Sequence, residues 1–161
     1  MTNTSAESAA LGDLMHAAFR GLRKRWMLQL APFDLTPHQF RALNAIARAG
    51  AASAGMEDGQ VPEQVSGLRL KELAERLRIA PRSATEVVDQ LAVKGLVARA
   101  AHPTDRRATL LSLTDEGDRL RKHVAADRKR EADEFFSVLD PQDRAELARI
   151  LGELSPERAG S

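Results

Sequence analysis

Leu70-Lys71-Glu72-Leu73-Ala74-Glu75-Arg76-Leu77, followed by Ile79-Ala80 and then Pro81-Arg82-Ser83-Ala84-Thr85-Glu86-Val87-Val88-Asp89-Gln90-Leu91, is the stretch whose reading decides the fold. Leu70, Leu73, Ala74 and Leu77 recur at threes and fours, the apolar stripe of a short helix. Ile79-Ala80 makes a turn. Pro81 suits the first position of a second helix, where its missing N–H costs nothing and its φ is already helical. The inward face of that helix is Ala84, Val87, Val88 and Leu91, and Gly95 closes it at the position that favours left-handed backbone. The period then changes. Residues 96–101 and 107–113 are short, partly β-branched runs on either side of His102-Pro103-Thr104-Asp105-Arg106, which predicts two antiparallel strands joined by a charged hairpin tip. Two short helices with a tight turn and a hairpin directly after them specify a winged helix-turn-helix.

Working outward, Leu11, Leu14, Met15, Ala18, Leu22, Trp26 and Leu30 stripe a first helix over about 8–30, which Pro32 closes. Thr36-Pro37-His38-Gln39 supplies an N-cap, a first-turn proline and a glutamine three residues on. It opens a second helix that buries Phe40, Leu43 and Ile46 and runs out at Gly50. Four glycines and Glu57-Asp58-Gly59-Gln60 make 50–67 read as a long flexible loop. Downstream, Thr114 caps a long helix with Asp115 and Glu116 in its first turn, where negative charge suits the helix dipole. Asp140-Pro141 starts a last helix carrying Leu147, Ile150, Leu151 and Leu154, with fraying expected from Ser155. The expected architecture is mainly α: a winged helix-turn-helix with a two-stranded β-hairpin wing and terminal helices. It divides into an N-terminal helix (1–34), a winged helix-turn-helix (35–113) and C-terminal helices (114–161).

The 161 residues suffice for one domain with its own core, or a compact domain with added helices, and 43% hydrophobic with 29% charged residues is a globular balance. The absence of cysteine excludes disulfides, cysteine zinc sites and thiol chemistry. The N-terminus lacks a signal-peptide layout, and charges interrupt each apolar run before membrane-spanning length, so a cytoplasmic protein is expected. The net charge of +1 hides a segregation: residues 68–110 hold nine basic and five acidic residues, while the flanks are neutral or acidic. A basic middle points to an anionic partner.

Several landmarks stand in order: Leu35-Thr36-Pro37-His38-Gln39-Phe40, Leu70 to Leu77, Lys94-Gly95-Leu96-Val97, Pro103-Thr104-Asp105-Arg106-Arg107, and Leu113-Thr114-Asp115-Glu116-Gly117. Together they resemble the MarR family (multiple antibiotic resistance regulators) over roughly 8–154. The resemblance implies a homodimeric transcription regulator, with 1–34 and 114–161 as dimerisation helices and 35–113 as the DNA-binding domain, whose binding to double-stranded DNA is often relieved by a small ligand; the two-fold symmetry of such a dimer calls for a pseudo-palindromic operator. Two departures stand out. The loop over 50–67 is longer than is typical of the family, and Ala80 occupies the position where a Ser or Asp often caps the recognition helix.

Arg82, Ser83, Thr85 and Glu86 lie on the polar face near the start of the second helix of the pair, placed to reach base edges or phosphates in a major groove; an ordinary solvated face is the alternative. Asp105, Arg106 and Arg107 put two guanidiniums at the hairpin tip, one to enter a narrow minor groove while the carboxylate fixes a neighbouring arginine by a bidentate pair. The resemblance makes Arg107 the groove arginine and Asp105 its organiser. On the first two helices His16, Phe19, Arg20, Arg23, Trp26 and Phe40 combine cationic and aromatic groups suited to an aromatic carboxylate; packing in the core or a dimer interface is the alternative. The four histidines have no metal-ligand spacing, and phosphate-loop and nucleophile motifs are absent, so no cofactor, metal or catalysis is expected. A winged helix that docks protein instead of an operator remains the alternative function, because fold does not fix function.

Overall fold

The computed structural model describes residues 3–54, 67–105 and 107–154. In chain order the elements are α1 (Asn3–Leu30), α2 (Pro37–Ala54), β1 (Leu68–Arg69), α3 (Leu70–Leu77), α4 (Pro81–Val93), β2 (Val97–Ala101), β3 (Thr109–Leu113), α5 (Asp115–Phe135) and α6 (Pro141–Glu153). Short 3-10 turns follow α1 at Ala31–Phe33 and α5 at Phe136–Val138. The chain forms two compact units, Met27–Ala126 and Met1–Trp26 with Asp127–Ser161, so the division falls inside α1 and α5.

The unit Met27–Ala126 owns the core. Leu43, Leu68, Leu73, Ala84, Val88, Leu91, Leu111 and Val124 are fully enclosed there, with Leu30, Phe40 and Ile46 almost so. Burying each large aliphatic side chain contributes about 1.5–3 kcal/mol. Thr36 and Gln39 form a reciprocal capping box: the Gln39 amide donates to Thr36 Oγ1 (3.2 Å) and the Thr36 amide to Gln39 Oε1 (2.9 Å). Gln39 is itself buried, and its Nε2 donates to Gln90 Oε1 at 2.7 Å, which ties the start of α2 to α4.

Two boundaries differ from the sequence reading. Helix α2 continues past Gly50 to Ala54. A glycine inside a helix costs only about 1 kcal/mol relative to alanine, and the Ala51-Ala52 that follows is strongly helix-forming. The sheet has three strands in the order β1-β3-β2, all antiparallel, with Leu68 opposite Leu111 and Val97 opposite Leu113. The two-residue β1 makes β3 the central strand. Most of the expected loop over 50–67, and the expected fraying from Ser155, lie outside the described residues.

One junction governs how the wing meets α5. Thr114 Oγ1 donates to the Gly95 carbonyl (2.7 Å) and accepts from the Gly117 amide (3.0 Å), while the Thr114 amide donates to the Leu96 carbonyl (3.2 Å). Gly95 itself has φ +69°, the left-handed conformation that ends α4.

In the unit Met1–Trp26 with Asp127–Ser161, no described side chain is fully buried. Arg25 Nη1 pairs with Glu131 Oε2 at 3.3 Å, and the Arg128 guanidinium lies 5.3 Å from the centre of the Trp26 ring. Leu11, Leu14, Met15 and Phe19 of α1, Ile150 and Leu151 of α6, and Leu154 just after it, stand exposed.

Candidate nucleic-acid interface

The start of α4 is open. Ala80 takes an extended N-cap backbone (φ −60°, ψ 146°) and offers no side-chain cap, yet the helix begins at Pro81 and its first ring closes through the Ala84 amide to the Ala80 carbonyl at 3.0 Å. The first-turn N–H groups of Arg82 and Ser83 therefore meet no capping side chain, and the helix dipole adds partial positive charge at the same place. Arg82, Ser83 and Glu86 are exposed and Thr85 is half-buried, its hydroxyl donating to the Pro81 carbonyl at 3.1 Å. Arg82 Nε and Glu86 Oε1 are 3.5 Å apart across one turn, so Glu86 moderates the charge of Arg82 and both remain solvated.

The wing tip is closed by its own backbone. Asp105 Oδ1 accepts from the Arg107 amide at 3.1 Å, the Asp105 carbonyl accepts from the Ala108 amide at 2.9 Å, and the His102 amide donates to the Ala108 carbonyl at 3.0 Å. Among the described residues the Asp105 carboxylate holds the Arg107 amide and forms no ion pair with the Arg107 guanidinium. A carboxylate two residues before an amide closes a local turn readily, which leaves the guanidinium exposed and unneutralised. Arg106 lies outside the described residues. At the base of the wing Arg99 Nη1 pairs with Asp89 Oδ1 at 2.6 Å and joins β2 to α4.

Between the wing and α4 runs a groove of about 440 Å³, lined by Arg69, Lys71, Arg82, Thr85, Asp105 and Arg107 among others. Among the described residues, four cationic side chains from β1, α3, α4 and the wing thus face one channel with a single carboxylate. Arg69 and Lys71 were not among the residues singled out from the sequence. The only sequence signal for them is their place in the basic segment, because a two-residue strand leaves no periodicity to read. Arg69 Nη2 also lies 3.1 Å from His102 Nε2, so β1 reaches the foot of the wing tip.

Of the expected ligand residues, His16, Phe19, Arg20 and Arg23 are exposed along α1 and Trp26 is half-buried. Burial holds the Arg128 guanidinium beside Trp26 below the usual arginine range. Phe40 belongs to the core of the other unit, 2% exposed, where packing accounts for its ring. Among the described residues no group of three or more His, Asp or Glu side chains is arranged to hold a metal ion, and no helix is long and apolar enough to cross a membrane.

Comparison with known proteins places the chain among regulators. The MarR family model matches residues 63–109. The HTH-type transcriptional regulator MhqR of Bacillus subtilis is 38% identical over 137 residues, 85% of this chain and 83% of the relative. The HTH-type transcriptional repressor MdtR of the same organism is 28% identical over 88% of this chain and 81% of its own length. Among solved structures, the YusO protein from Bacillus subtilis superposes with a TM-score of 0.73 at 27% identity, covering 96% of this chain and 97% of that one.

Proposed function

The chain belongs to the MarR family of helix-turn-helix transcription regulators, and from that premise we propose that it acts as a cytoplasmic homodimeric repressor on a pseudo-palindromic operator. The observation that carries this reading is the groove in which Arg69, Lys71, Arg82 and Arg107 converge beside the uncapped start of α4. Phosphates of one strand lie along this groove. Arg82, Ser83, Thr85 and Glu86 face the major groove, and Arg107, with Arg106 beside it in the chain, enters the minor groove. Residues 35–113 form the DNA-binding part, and the helices before and after them pair two copies.

Repression is the sense in which MdtR is named, and release comes from an aromatic carboxylate held by His16, Phe19, Arg20, Arg23 and Trp26 on α1. Such a ligand acts through its differential affinity for the two DNA-binding states, and a tenfold loss of operator affinity needs about 1.4 kcal/mol. The test is to sequence genomic fragments retained by the full chain, then challenge the complex with salicylate-like acids. Inverted repeats with half-sites about one helical turn, roughly 34 Å, apart support the reading. Retention without a common motif contradicts it, and a panel of acids that neither binds nor releases the complex removes the ligand.

A further inference from the structure

A second groove, of about 470 Å³, lies where α2 meets α3 and shares no residue with the first. Arg41, Asn44, Ala45 and Arg48 follow one face of α2 at spacings of three and four, and Arg76 and Leu77 come from the last turn of α3. Among the described residues no acidic side chain lines it. Arg41 is positioned, its Nη2 donating to the Leu77 carbonyl at 3.2 Å, and among the described residues none of the three guanidiniums has a carboxylate partner. Elsewhere Arg25, Arg99, Arg121, Arg130 and Arg149 each have a carboxylate within 3.3 Å, whereas these three, like Arg69 and Arg107 of the wing groove, have none among the described residues.

We propose that the Arg41–Arg48–Arg76 groove binds a phosphate-bearing anion. Three guanidiniums around one open groove repel one another until an anion enters, and their forked donors match the oxygens of a phosphoryl group bidentately. Among the described residues the lining is mostly cationic and holds no aromatic side chain, so it lacks what an aromatic carboxylate needs, while the spread of Arg41 and Arg48 over two turns suits more than one phosphoryl group. The same chemistry has two sources, a free oligophosphate or the backbone of a nucleic acid.

Calorimetric titration of the full chain with inorganic pyrophosphate, beside titration of duplex DNA over a range of salt, separates them. Arg48→Ala combined with Arg76→Ala is the variant; both side chains are exposed and leave the Arg41 bond in place, and an unchanged thermal melt confirms the fold. For a free anion, pyrophosphate binds the parent and the double variant weakens it at least tenfold, with Arg48→Lys/Arg76→Lys restoring only part. For a backbone, pyrophosphate does not bind, but the double variant lowers duplex affinity and flattens the salt slope by about 0.9 per phosphate left unneutralised. Unchanged affinity of the double variant for both probes, or a parent that binds neither, overturns the proposal. The pyrophosphate arm is independent of the operator reading. A chain that binds pyrophosphate here yet no duplex contradicts that reading and supports this one.

Discussion

At Gly117 the chain has no room for a side chain, because a Cβ there would overlap the Leu96 carbonyl oxygen. That close approach, with Thr114 bridging the Gly95 carbonyl and the Gly117 amide, explains physically why Thr114 and Gly117 sit where they do at the end of the wing. Gly117→Ala should lower stability by about 3 kcal/mol, since the obstacle is backbone and not a side chain that can swing away. Urea unfolding measures it, and a loss under about 1 kcal/mol would mean the junction yields. Asp34 is a second residue with a readable consequence. It sits in left-handed backbone (φ 50°) after the 3-10 turn, and Lys94, at the C-cap of α4, bonds its carboxylate at 2.7 Å. That hydrogen bond and the lysine's charge hold the Asp34 carboxyl below its ordinary value of 3.8. The contribution is therefore complete above pH 3.8 and lost as pH falls through the lower folded value. Asp34→Asn should flatten the fall in melting temperature of this unit below about pH 4; an identical acid profile would contradict the pairing.

At the scale of elements the wing is the sharpest test. Arg107→Ala should cost about 1–3 kcal/mol of DNA affinity and reduce preference for A·T-rich flanks, and Arg107→Lys should restore part, because an ammonium sheds its water at greater cost. Asp105 acts on the Arg107 amide, so Asp105→Ala should weaken binding although it removes negative charge. Asp105→Asn, which keeps an acceptor oxygen, should bind at least as well as the parent. If Ala and Asn both strengthen binding in a duplex competition assay, repulsion and not turn closure governs. The helices are legible in the sequence because their stripes and caps are local: Pro81, Gly95, Thr114 and the Thr36/Gln39 box each specify a boundary by their own chemistry. Strand β1 is not, because Leu68-Arg69 becomes a strand only by pairing with Leu110 and Leu111, more than forty residues away. The groove is half legible for the same reason. Arg82, Asp105 and Arg107 belong to recognisable elements, whereas Arg69 and Lys71 enter it through that long-range pairing. The end of α2 escapes a local reading because Gly50 is a weaker breaker than the alanines after it are helix formers.

For the whole molecule, the distribution of burial is the governing fact. Every fully buried hydrophobic side chain among the described residues lies between Leu30 and Val124, while Leu11, Leu14, Phe19, Ile150, Leu151 and Leu154 stand open on the remaining helices. Helices without enclosed apolar contacts of their own need a partner surface, so sedimentation should find a dimer at micromolar concentration. A stable monomer there would contradict the assembly. The segregation of charge has its own consequence, since the cations that face the wing groove come from four elements and none is neutralised by a second carboxylate in the groove. The most direct test of the DNA reading is the salt dependence of duplex affinity for the parent and for Arg69→Ala combined with Lys71→Ala. The account predicts a steep fall of affinity with salt in the parent and, in the double variant, weaker binding with a slope shallower by about 0.9 for each phosphate left unneutralised. Equal affinities with equal slopes would contradict it.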